Sequence, residues 1–381
     1  MEKIKNAATI VIFAAVLFGL CAAFFIMPDN RHSRAERRLL ARPPALNAEA
    51  VFSGEYMKSF ETYMQDQFPL REPFRTVNAL TRRHILRQLD YNGYYYAGGH
   101  LSEMEFPLNT QAVTNNALWL YNLSSSEALQ NANVYYSIIP DKNYFLAAQH
   151  GFLSLDYSAM LDIVHEKMVD YTYIDLFGVM KLSSFYRTDI HWRQEELFPA
   201  AWQLATGMGV EMVLCDAEAL HTLSPFYGGF HGHAALPVRP DELRYLTNQY
   251  TDNAIVHTLA EENRAFAFSR YIEADGERLR LEVYNPALFN GMDSYDVFLA
   301  GAQAIITIEI PDATTDRELI IFRDSYGSSI APLLLGGYSK ITLVDIRYIP
   351  NRVLSNYIEF DNQDILFLYN SMLMNRSGLF R

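Results

Sequence analysis

The run Ile320-Ile321-Phe322-Arg323-Asp324-Ser325-Tyr326-Gly327-Ser328-Ser329 constrains this chain more than any other stretch. Its apolar start reads as a buried strand, Asp-Ser-aromatic-Gly as a sharp turn, and the apolar residues behind it as a helix. Such a turn lifts a serine hydroxyl out of a sheet, with helix N-terminal N–H groups beside it as oxyanion donors. The same residues also suit an ordinary strand-to-helix turn in which Ser325 only caps the helix. The choice depends on finding a base elsewhere.

The surrounding pattern is α/β. Val134 to Ile139 reads as a buried strand stopped by Pro140-Asp141-Lys142, and Ser158 to Asp170 as a helix with Met160, Leu161, Val164 and Met168 on one face. That rhythm implies βαβ units and a mostly parallel sheet, with ligands at the carboxyl ends of the strands. Further core strands are expected at Ala304–Ile310, Glu318–Phe322, Ile341–Asp345 and Ile365–Tyr369, and a helix at Gln194–Met208. Upstream, residues 55–89 read as two helices with a bend near Pro69 and Pro73, Tyr91–Gly99 as a hairpin edge, and Thr110–Gln130 as an amphipathic helix. Residues 214–290 turn to short β-rich segments with many Gly and Pro, an insertion beside the functional face. Within it, Tyr227-Gly228-Gly229-Phe230 suits either a mobile loop over a substrate or a plain surface turn.

With 381 residues, half of them hydrophobic, the chain can bury a sizeable core: one large α/β domain with insertions, or one domain with a smaller appendage. A net charge of −13 excludes a phosphate-tracking surface, so no nucleic-acid partner is expected. The two cysteines, Cys21 and Cys215, provide no disulfide framework or thiolate metal site. His231-Gly232-His233 lacks an obvious third ligand, so neither a metal nor another cofactor is expected.

Ala7 to Met27 is a nearly unbroken apolar run, long enough to cross a bilayer as a helix. It is a span or an uncleaved signal, with a cleavable signal peptide as the alternative. Arg31, Arg34, Arg37, Arg38 and Arg42 after the run outweigh Lys3 and Lys5 before it, a bias toward keeping the following domain cytoplasmic. The expected organisation is a membrane anchor or signal at 1–30, a helical lead-in packing on the core at 31–130, and a catalytic domain at 131–381 carrying the insertion.

A base stands in Tyr186-Arg187-Thr188-Asp189-Ile190-His191-Trp192. Asp and His two residues apart share a face of an extended segment, so the carboxylate can hold Nδ1 while Nε2 points at a serine. Trp192 would wall the site and exclude water. Arg323 and Arg347 read as partners of Asp324 or Asp345 rather than as catalytic groups.

Thr188-Asp189-Ile190-His191-Trp192, Phe322-Arg323-Asp324-Ser325-Tyr326-Gly327 and Ile341 to Tyr348 together resemble the DHHW family, which is similar to the SGNH-hydrolase-like alginate O-acetyltransferases. Ser33 to Leu40, Asp66 to Arg71, Pro140-Asp141-Lys142 and Tyr295 to Gly301 extend the resemblance over nearly the whole chain outside the apolar run. Ile190 stands where the first histidine of the family motif usually stands, and Ser328 where asparagine is frequent. The resemblance implies a catalytic triad of Asp189, His191 and Ser325, in the reverse of the usual SGNH chain order and therefore on a permuted three-layer SGNH-like sheet. Tyr326 and Gly327 at the turn, Asn370 at the last strand's end and Trp192 are the candidate oxyanion or substrate residues, Asn370 being equally readable as a strand-end turn residue. It further implies an extracytoplasmic O-acetyltransferase that modifies a cell-surface or exported polysaccharide, with a membrane-bound O-acyltransferase as acetyl donor. A carbohydrate acetylesterase with the same triad and a non-catalytic polysaccharide-binding or assembly protein are the alternatives.

Overall fold

A computed structural model describes residues 1–125, 129, 132–211, 219–259, 274–275 and 278–378. The chain divides into two compact units, Met1–Tyr91 with His231–Pro237, and Asn92–Phe230 with Val238–Arg381.

Among the described residues the second unit's main sheet has nine strands: β1 (Asn133–Ile139), β2 (Thr172–Tyr173), β3 (Ile255–Leu259), β4 (Ala274–Asp275), β5 (Arg278–Leu281), β6 (Ile305–Glu309), β7 (Glu318–Arg323), β8 (Lys340–Val344) and β9 (Asp364–Asn370). Their spatial order is β4, β5, β3, β6, β8, β7, β9, β1, β2. The run from β8 to β2 is parallel throughout, and the remainder is antiparallel. β6 forms where a core strand was expected but runs against β8, because residues 310–317 are too few to carry a crossover helix.

Side chains alternate between two cores. Ile320, Phe322, Ile365 and Phe367 join Val134 and Tyr136 against the helices Thr110–Ser124 and Tyr157–Lys167. Leu319, Ile321, Leu366 and Leu368 face the helix Phe198–Gly207 and the helical turns of 327–337. Both faces of β1, β7, β8 and β9 are covered, which is why their sequences read as nearly continuous apolar runs. The β-rich stretch adds β3, β4 and β5 to the sheet and a ribbon pairing Ala219–Phe226 with Asp241–Thr247. Its residues 212–218, with Cys215, and 260–273 and 276–277 lie outside the described residues. A helix at Lys142–His150, unmarked by any apolar period in the sequence, starts directly after β1, with Asp141 Oδ1 accepting the Asn143 N–H at 2.6 Å.

In the first unit, α1 (Glu2–Ile26) is the one described helix long and apolar enough to cross a membrane, with mean hydropathy 2.7. The bend expected within 55–89 separates α2 (Glu55–Asp66) from α3 (Arg71–Leu80), which continues into a π-helical turn at Thr81–Ile85. Pro73 falls in the first turn of α3, where a missing N–H costs nothing. Asp66 closes α2 by accepting Arg38 guanidinium hydrogens at 2.8 and 2.6 Å and the Ala41 N–H at 2.8 Å.

Candidate active site

Strand β7 ends at Arg323, and Asp324-Ser325 turns the chain into the short helix Gly327–Ile330. From Leu319 to Pro332 every residue is buried except Ser325, which is partly open to solvent. The glycine of the motif has a steric cause: a Cβ on Gly327 would come within 2.7 Å of Arg323 Cβ, so only glycine lets the helix start so close to the strand end. Asp324 holds the turn from beneath, its Oδ1 accepting the Tyr326 N–H at 3.0 Å and its Oδ2 the Asn370 N–H at 2.9 Å. Burial raises the Asp324 pKa above the usual carboxylate range, against Arg347 and these two N–H groups, which lower it.

The loop ahead of the helix Phe198–Gly207 brings His191 to this serine. His191 Nε2 lies 2.7 Å from Ser325 Oγ, and Nδ1 lies 2.6 Å from Asp189 Oδ1. An ionised carboxylate only accepts, so Nδ1 carries the proton and Nε2 is free to accept the serine O–H. Asp189 is fully buried, and its second oxygen accepts the Gly229 N–H at 2.7 Å. Thr188 locks the neighbouring backbone, its N–H and O–H donating to Asp241 Oδ2 at 2.8 and 2.6 Å while its Oγ accepts the Gly228 N–H at 3.0 Å. A Cβ on Gly228 would run into the Thr188 carbonyl and Asp189 Cβ, so that loop approaches the aspartate as only glycine allows. Tyr227-Gly228-Gly229-Phe230 is thus a bracket for the carboxylate.

Tyr295 lies flat on the imidazole, ring centroids 3.8 Å apart and planes 6° from parallel. Its hydroxyl donates to Ser329 Oγ at 2.7 Å, and the Trp192 indole N–H donates to the same oxygen at 2.7 Å. Ser329 therefore ties the histidine loop and the ring above it to the serine helix. Tyr326 reinforces the join through its hydroxyl, which donates to the Ile190 carbonyl at 2.7 Å.

The candidate oxyanion and substrate residues have structural engagements here. Trp192 and Tyr326 are buried ties rather than a wall facing solvent. The Tyr326 N–H is held by Asp324 Oδ1, and the Gly327 N–H donates to the Asp324 carbonyl at 3.1 Å. Asn370 fills the strand-end role, its Oδ1 accepting the Met372 N–H at 2.9 Å and its Nδ2 reaching the Ile139 carbonyl at 3.4 Å. Arg347 pairs with Asp345 through two bonds of 2.8 and 2.6 Å. Arg323 is fully buried and donates to the Asp324 and Gly301 carbonyls at 3.2 and 3.4 Å rather than to a carboxylate. His231 and His233 lie in the short helix Gly229–Ala234, and burial lowers the pKa of both.

Sequence reasoning missed Tyr295, Ser329 and Asp241 as parts of the site, and read Tyr227-Gly228-Gly229-Phe230 as a substrate loop or surface turn rather than as the bracket on Asp189. It also missed Lys142, buried behind Asp189, whose ammonium donates to the Tyr186 carbonyl at 3.0 Å. A charged residue directly after a strand-ending Pro-Asp was the available signal for Lys142.

No protein-family model and no curated protein matches the chain. Solved structures do. A DHHW family protein from Eubacterium siraeum is 20% identical, with a TM-score of 0.56, over 76% of this chain and 94% of that one. Bacillus cereus PatB1 is 15% identical, with a TM-score of 0.56, over 76% of this chain and 98% of its own. A second PatB1 structure, with a sulfonyl adduct, is 14% identical, with a TM-score of 0.54, over 76% and 99%. At these identities the likeness is one of fold: the chain shares the α/β architecture of these proteins.

Proposed function

We propose that this chain is an extracytoplasmic O-acetyltransferase, anchored by α1, that works through an acyl-enzyme on Ser325. The observation that carries the reading is the continuous path from Asp189 through His191 to Ser325 Oγ, in links of 2.6 and 2.7 Å. The choice of a polysaccharide hydroxyl as acceptor, and of a membrane-bound O-acyltransferase as donor, rests on the sequence resemblance around Asp189-Ile190-His191-Trp192 and Asp324-Ser325-Tyr326-Gly327.

In the first half-reaction Ser325 Oγ attacks the acetyl carbonyl and its proton passes to His191 Nε2. The tetrahedral intermediate expels the donor's oxygen, which takes that proton from the imidazolium. In the second, a sugar hydroxyl gives its proton to Nε2 as its oxygen attacks the acetyl-serine. Collapse forms the new ester and returns the proton to Ser325 Oγ. Asp189 keeps the imidazole in the required tautomer and stabilises the imidazolium at each proton transfer, while Tyr295 prevents the ring from rotating.

The test is to incubate the full chain in detergent with an activated acetyl ester and an oligosaccharide, following products by mass spectrometry. Acetylated sugar, lost in Ser325→Ala, is expected. Exclusive release of acetate would make the protein an esterase. Unchanged polysaccharide acetylation in cells carrying Ser325→Ala would leave it a binding or assembly role.

A further inference from the structure

The first unit carries a surface that the acyl-transfer site does not use. Along α3 and the turns that bound it, Leu70, Phe74, Val77 and Ile85 recur at steps of three, four or eight residues, one side of a helix. All four are open to solvent, at 62, 47, 59 and 73% exposure, while Ala79 on the opposite side is 1% exposed. A soluble helix normally shows the reverse arrangement, so this face needs a cover.

Two independent observations say what the cover is. The first is position. Tyr63 and Gln67, at the end of α2, grip the residues that directly follow α1: the Tyr63 hydroxyl donates to Asp29 at 3.0 Å, and Gln67 exchanges two 2.9 Å hydrogen bonds with the Asn30 backbone. The Tyr63 ring also meets Phe24, near the end of α1, edge to face at 5.5 Å. The end of α2, and α3 joined to it through the Phe68 and Phe74 rings at 5.6 Å, are therefore held where α1 leaves the hydrocarbon. The second is charge. Past α1, the first unit has eleven Lys and Arg against eight Asp and Glu, a surplus of +3, whereas the second unit carries −17. Arg82, Arg83 and Arg87 flank the apolar stripe itself.

We infer that α2 and α3 form an apron on the membrane surface, the α3 stripe lying in the headgroup region of the bilayer that α1 spans and the surrounding arginines facing anionic lipid. The apron rests on reading α1 as a span. Apolar burial and lipid charge then act together on one face, and long arginine side chains reach the headgroups while their stems cover the stripe.

The test uses the full chain with Cys21 and Cys215 replaced by serine, reconstituted in nanodiscs of phosphatidylcholine and phosphatidylglycerol. Spin labels are placed singly through Phe74→Cys, Val77→Cys and Ile85→Cys, with Glu166→Cys, an exposed acidic position of the second unit, as the aqueous baseline. The expected result is collision with dissolved oxygen favoured several-fold over collision with a water-soluble nickel chelate at the three stripe positions, relative to Glu166→Cys. Labels that meet nickel as readily as the baseline overturn the apron. Labels shielded from both reagents also overturn it, since a protein would then cover the stripe. A chain that alkaline carbonate strips from the bilayer sinks the reading of α1. One that stays embedded while the stripe labels report water sinks the apron alone.

Discussion

Replacing Lys142 with methionine isolates one buried charge behind the candidate site. Lys142 is 2% exposed, and among the described residues no carboxylate forms an ion pair with it. Its ammonium has the Tyr186 carbonyl at 3.0 Å and the face of Phe230 at 4.6 Å from the ring centroid. Burial pulls its pKa from 10.5 down to about 7, against the attraction of Asp189, Asp241 and Asp141. His100 also faces this charge, and burial together with the Lys142 charge lowers its pKa. Because the folded pKa lies below the unfolded one, the unfolded chain binds the extra proton between them, and stability rises as pH climbs through that interval. Roughly three and a half units at about 1.4 kcal/mol each give a swing on the order of 5 kcal/mol. Methionine carries no proton at any pH, so the wild-type minus Lys142→Met stability difference should climb by that amount from about pH 6 to 10.5. Urea unfolding of both proteins at stepped pH, followed by tryptophan fluorescence, measures it. A difference that stays flat across the window refutes the reasoning, because the lysine would then keep its ordinary affinity for a proton despite its burial.

Three further outcomes test the site's geometry. Asp189→Asn, which removes the acceptor for the Nδ1 proton, should lower kcat by roughly 10³ to 10⁴ with Ser325 still in place, read by steady-state acetyl transfer. Gly228→Ala puts a Cβ into the Thr188 carbonyl and Asp189, and should cost on the order of 10² in the same assay by misplacing the carboxylate. Tyr326→Phe strips the partly buried Ile190 carbonyl of its 2.7 Å donor and should destabilise the fold by about 1 kcal/mol, measured by thermal unfolding.

The main sheet was legible because its strands are buried on both faces. Ile320 to Phe322 and Ile365 to Tyr369 have no polar interruption, Ile341 to Val344 has only Thr342, and each is a strand in the structure. The pairing of an Asp-x-His with an Asp-Ser-x-Gly was legible too, since the residue types and the local turn declare themselves within a few positions. The helix Lys142–His150 was not, because one N-capping aspartate starts it and no apolar period marks it. Nor were the supports of the site. Tyr295 on His191, Ser329 between Trp192 and Tyr295, and Gly229 on Asp189 come from segments far apart in the chain. Nothing local distinguishes such a tyrosine or glycine from any other.

By itself the sequence offered a serine, a histidine and an aspartate of the types a nucleophile, base and orienting carboxylate require, because those capacities are set by residue type. It also determined that a parallel run of strands would end at the serine, though not that the other half of the sheet is antiparallel, and that α1 has the length to cross a bilayer. Only the tertiary structure decided that Nε2 lies within 2.7 Å of the serine, that Asn370 and Trp192 are spent on holding the fold, and that a buried lysine stands behind the aspartate. Those are relations between strand ends and loops many residues apart, and their distances are set by how the layers pack rather than by any local propensity.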